Sequence, residues 1–84
     1  METLIGKATH YFNRLEVAVL ELSGDLHVGD DVCFVGRITD FEQNVGSMEI
    51  QHKKISMATA GQEVALKVYD LVRPGDLVYK IGQD

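Results

Sequence analysis

Few side chains in this 84-residue sequence can do covalent or acid–base chemistry, and their spacing decides how each is read. Cys33 is the single cysteine and lies between Val32 and Phe34 in an apolar run. A nucleophilic thiol needs a neighbouring base, whereas a thiol flanked by apolar strand residues is usually buried and inert. His10, His27 and His52 fall in three separate segments without metal-ligand spacing. Asp25, Asp30, Asp31, Asp40 and Asp76 gather at turns, where carboxylates accept hydrogen bonds from backbone N–H groups. Gly29-Asp30-Asp31 lacks the alternating oxygen ligands of a calcium loop. The chain contains no phosphate-binding glycine loop, no Gly-x-Gly-x-x-Gly, no His-Glu-x-x-His and no Cys-x-x-Cys. The expectation is a non-enzyme with no catalytic residue, no metal, no cofactor and no nucleotide binding of its own. An enzymatic alternative would need Cys33, a histidine and a carboxylate to converge in space.

Binding is the other chemistry these residues offer. Lys7, His10, Tyr11 and Arg14 form one basic and aromatic cluster, and Lys53 and Lys54 follow His52 in a second. Clustered cations release counterions on nucleic acid, and an outward Tyr11 would stack a base. Against this stands the formal charge of −5, from 8 Lys+Arg against 13 Asp+Glu, which repels phosphate. Paired lysines at a strand end also guard that edge against pairing. The six residues are therefore the candidate surface for RNA or for a protein partner.

The elements that must carry these residues are strands. Residues 4–12, 16–22, 31–37, 40–50, 62–69 and 76–81 are rich in β-branched and aromatic residues and are bounded by Gly, Asp, Asn or Pro. Val64, Leu66 and Val68 share one parity and are predicted to point inward. In residues 40–50 the apolar parity changes between Val45 and Met48, which predicts a β-bulge near Gly46-Ser47 and a strand curved enough to serve both ends of a closed sheet. Gly29-Asp30 and Gly75-Asp76 open two similar turn-to-strand segments. Arg73 to Asp76 is a type II turn candidate, with Pro74 presetting φ and Gly75 supplying φ > 0. Closing short strands removes exposed edges. The fold class is all-β, a small closed, mainly antiparallel six-stranded barrel, as one domain over residues 1–84.

Size and hydropathy bound the rest. A chain this short buries roughly 60–65% of its unfolded surface, for a stability of roughly 4–13 kcal/mol. Its apolar runs are far shorter than the roughly 20 residues of a membrane span, and no basic-then-apolar leader opens it. A cytoplasmic protein without membrane contact is expected, and the lone cysteine agrees with a reducing compartment.

Taken in order, the segments Ile5-Gly6-Lys7-Ala8-Thr9, Val17-Ala18-Val19-Leu20, Leu26-His27-Val28-Gly29-Asp30, Ala60-Gly61-Gln62-Glu63-Val64 and Arg73-Pro74-Gly75-Asp76-Leu77-Val78 are similar to the second, β-barrel domain of elongation factor Tu-like translational GTPases. The same barrel is similar to the C-terminal extension of collagenase-like peptidases. The first resemblance implies a binding module that contacts RNA, the ribosome or a translation-related protein, without the nucleotide domain. The second implies a protein-interaction adaptor for an enzyme such as a collagenase-like peptidase. Oligomeric state stays open, with an apolar patch around Tyr69 and Tyr79 as the place a dimer would use.

Overall fold

The computed structural model describes residues 2–82 and contains ten strands. They are β1 (Glu2–Phe12), β2 (Val17–Leu22), β3 (Leu26–His27), β4 (Asp31–Val35), β5 (Asp40–Asn44), β6 (Met48–Ile50), β7 (Lys53–Ile55), β8 (Met57–Ala58), β9 (Glu63–Lys67) and β10 (Leu77–Ile81). Eight form one antiparallel sheet in the order β5-β4-β10-β1-β2-β9-β6-β7, and β3 pairs with β8 in a small second sheet. Among the described residues there is no helix, so none is long and apolar enough to cross a membrane.

Alternation explains the core. Val64, Leu66 and Val68 all point inward, as their parity predicts, and meet Ala18, Leu20 and Met48 from neighbouring strands. Phe34 is the largest fully buried side chain and stacks on Phe41 with centroids 4.9 Å apart. Leu26 and Ala58 tie the β3–β8 ladder to the same core.

The expectation of a closed six-stranded barrel is corrected in its detail. The sheet has eight strands, and among the described residues no backbone ladder joins its ends, β5 and β7. The reason lies in residues 40–50, where a full break replaces the one-residue bulge predicted there. Val45 leaves the ladder to exchange hydrogen bonds with another turn: Gly29 N–H donates to Val45 O and Val45 N–H donates to Asp30 O, both at 2.8 Å. β5 then pairs with β4 and β6 with β9, so the two pieces serve opposite ends of the sheet. A side chain bridges the gap they leave. Gln43 is buried, donates Nε2–H to Lys67 O at 2.9 Å and accepts Tyr69 N–H on Oε1 at 2.9 Å, imitating the strand that a backbone ladder would need. Every hydrogen-bonding group on that amide matters, because an unpaired buried polar atom costs about 1–3 kcal/mol.

Two register shifts in β1 set what faces outward. Between Ala8 and His10 the pairing slips by one, leaving Thr9 as the extra residue, its Oγ1–H donating to Val19 O at 3.3 Å. A bulge exchanges the faces of everything beyond it. Tyr11 consequently turns inward and packs on the core, while Phe12 turns out and is 48% exposed.

Candidate docking groove

The predicted basic residues are spread along the outer surface. Lys7 faces Glu21, which in turn faces Glu63, so acids follow it across the sheet. His10, Val19, Ala65, Glu49 and Lys54 form one cross-strand row over β1, β2, β9, β6 and β7. Four strand spacings separate its ends, about 19 Å at about 4.8 Å each. Arg14 stands exposed in the turn at 13–16, and Lys53 and Lys54 lie on β7, an end strand of the sheet. Tyr11 offers no outward ring, because the Thr9 bulge turns it in. His10 is instead parallel to Phe12, with planes 6° apart and centroids separated by 6.3 Å.

The same rows assemble a concavity that the basic clusters did not announce. An open groove of about 530 Å³ runs over the outer face of β2, β9 and β6. Phe12, Leu15, Val17 and Val19 supply its apolar wall, and Ala65, the smallest side chain of its row, sets the floor. Leu15 is 63% exposed in the β1–β2 turn. Glu49 and Glu63 stand on the rim, and among the described residues neither takes part in an ion pair. Lys67 is already engaged: its Nζ donates to Leu15 O at 3.2 Å and pairs with Glu16 at 3.5 Å, pinning the turn that carries Leu15. Among the residues that line the groove the unpaired charge is thus acidic, with Lys54 just outside it across from Glu49.

Backbone strain collects at the two ends of this groove. Among the described residues, those other than glycine with positive φ are Glu16, Gln51 and His52, with φ of 56°, 52° and 66°. Glu16 closes the β1–β2 turn, and Gln51-His52 form the two-residue connection between β6 and β7. Such connections favour Asn-Gly, since φ > 0 at both central positions costs a side chain about 1–2 kcal/mol. Strain of this kind gathers where a surface is held in shape for use.

The remaining candidates stay apart. His10, His27 and His52 lie on β1, on β3 and in the β6–β7 connection, and among the described residues no three His, Cys, Asp or Glu side chains are grouped to hold a metal ion. Cys33 is buried opposite Tyr79 and Glu42. Burial pushes its thiol pKa up, and the nearby Glu2, Glu42 and Asp40 carboxylates push in the same direction. That disfavours the thiolate a nucleophile needs. Tyr69 is 68% exposed, whereas Tyr79 is half-buried on β10.

No family model matches the chain. It is 40% identical over 80 residues to an uncharacterized protease of Methanocaldococcus jannaschii, and 37% identical over 84 residues to a collagenase of Porphyromonas gingivalis. These matches cover 94% and 98% of the chain but only 20% and 23% of the relatives, so the chain spans about a fifth of their length. Among solved structures, the C-terminal domain of a "putative U32 peptidase" of Geobacillus thermoleovorans superposes with a TM-score of 0.89 at 22% identity, covering 95% of this chain and 93% of that one. The chain shares the fold of that C-terminal domain. The selenomethionine variant of the same domain gives a TM-score of 0.85. These relatives are a protease, a collagenase and a peptidase domain, which corrects the expectation of a translation-factor or elongation-factor role. The turn and strand motifs behind that expectation report the shape of a small β-domain, and one such shape hosts unrelated functions.

Proposed function

We propose that this chain is a non-catalytic accessory domain that serves a collagenase-like peptidase by binding its larger body. The observation carrying this reading is coverage: nearly the whole chain matches about a fifth of a collagenase, and the same fold exists as a separate C-terminal domain. A buried thiol with a raised pKa and three scattered histidines support a binding role over a catalytic one. The test uses the P. gingivalis collagenase lacking the segment that aligns with this chain. Degradation of gelatin is measured for this chain alone, for the shortened collagenase, and for the shortened enzyme with this chain spliced into the vacant position. The expected result is no cleavage by the chain alone and more cleavage by the spliced enzyme than by the shortened one. Gelatin cleavage by the chain alone would contradict the reading, as would a spliced enzyme no better than the shortened one.

A further inference from the structure

We propose that the groove over β2, β9 and β6 is the docking surface, and that its occupant is an apolar segment of the peptidase body carrying lysine or arginine. This assignment rests on the accessory-domain reading and adds to it the face and the chemistry of the contact. Two properties of the groove choose the occupant. Its wall is contiguous and apolar, with Phe12 and Leu15 at 48% and 63% exposure beside Val17 and Val19, whereas the exposed Ile38 and Tyr69 lie outside it. Contiguous exposed apolar area marks an interaction site, and isolated exposed side chains do not. Its rim carries Glu49 and Glu63, which form no ion pair among the described residues although Lys54 stands across from Glu49, while Lys67 pairs with Glu16 at 3.5 Å. With a chain charge of −5, electrostatic complementarity selects a cationic partner and disfavours a second copy of the same acidic face.

The geometry fixes which substitutions matter. Leu15→Asp puts a like charge beside Glu16 and removes the most exposed anchor without touching the core. Ala65→Leu fills the floor from an outward position. Glu49→Lys with Glu63→Lys reverses the rim. Ile38→Ser and Tyr69→Ser remove equally exposed apolar groups outside the groove.

Binding is measured by titrating the 84-residue chain against the P. gingivalis collagenase body lacking its matching segment, at two salt concentrations, with far-ultraviolet circular dichroism confirming the fold of each variant. Leu15→Asp and Ala65→Leu should each weaken binding at least tenfold. The double Glu→Lys variant should weaken it and flatten its salt dependence, and the two serine variants should leave it unchanged. If the wild-type chain does not bind the body, the accessory-domain reading falls and takes this assignment with it. If it binds and Leu15→Asp and Ala65→Leu are neutral, only the groove assignment falls. Self-association of the chain that Leu15→Asp abolishes would make the occupant a second copy and overturn the assignment. Binding lost on nuclease treatment would do the same in favour of nucleic acid.

Discussion

The turns at His27–Asp30 and Arg73–Asp76 share a backbone and differ in their surroundings. In each, the first residue's carbonyl accepts the N–H of the aspartate, the third residue is a glycine near φ +100° or +97°, and the aspartate carboxylate accepts the first residue's N–H at 2.9 or 2.8 Å. Each also exchanges two 2.8 Å backbone bonds with a residue outside the turn, Val45 for the first and Ala8 for the second. The strands that follow, β4 and β10, pair antiparallel, which sets the two turns at opposite ends of one ladder. Their environments then diverge. Asp76 is buried, with Gly36 so close that any side chain there would overlap its carboxylate, and Arg73 reaches Thr39 at 2.8 Å. Asp30 is partly exposed and forms an ion pair with Lys80 at 3.7 Å, with His27 Nδ1 at 3.7 Å from the same carboxylate oxygen. The lesson is that the Gly-Asp pattern encodes a turn, and packing decides how much stability hangs on it.

The largest difference is expected at the two aspartates. Asp76→Ala removes a buried carboxylate from the part-buried Arg73 N–H and should cost about 2–3 kcal/mol, while Asp30→Ala at a partly exposed site should cost about 0.5–1 kcal/mol. Urea denaturation measures both, and equal losses would break the comparison. The glycines should instead behave alike. An added Cβ at Gly29 or Gly75 meets no atom within 4 Å, so Gly→Ala at either should cost about 1–2 kcal/mol from left-handed backbone alone. A gap between them larger than about 1 kcal/mol in thermal unfolding would show that the turns do not share their strain.

A third turn extends the comparison to a place where no glycine relieves the backbone. Replacing Gln51-His52 with Asn-Gly should raise stability by about 1 kcal/mol, read as a shift in urea midpoint. A loss would mean that those side chains hold the groove end. The smallest effect is expected at Cys33, on the ladder between the two Gly-Asp turns. Its folded pKa is raised, so its contribution is fully present below the ordinary thiol pKa of 9.0 and is lost as pH rises through the higher folded value. Wild type should lose stability above about pH 9, and Cys33→Ala should flatten that part of the curve without changing stability at pH 7 relative to pH 8.

Much of this was legible in residue order. Alternation placed Val64, Leu66 and Val68 inside, and Arg73-Pro74-Gly75-Asp76 named its own turn, with Asp76 N–H bonded to Arg73 O at 2.9 Å. The inward turn of Tyr11 was hidden because parity carries no mark of the extra residue at Thr9; only the burial of Ala8 together with the outward His10 and the core-packed Tyr11 reveals it. The break after Asn44 was equally hidden, since it depends on Val45 finding partners in a turn far away in sequence. The groove did leave a trace. Val17-Ala18-Val19-Leu20 is apolar on both faces of its strand, which exceeds what one core requires. The charge clusters drew attention elsewhere because lysines are easy to see in a sequence, whereas cross-strand neighbours such as Glu49 beside Lys54 are not.

Amide hydrogen exchange of this chain, free and mixed with the P. gingivalis collagenase body lacking its matching segment, tests the central claim most directly. Slowed exchange confined to β2, β9, β6 and the turn at 13–16, with the Gly36–Ile38 and Arg73–Asp76 end unchanged, is the predicted result. Protection at the Gly36–Ile38 and Arg73–Asp76 turns, or none anywhere, would contradict it.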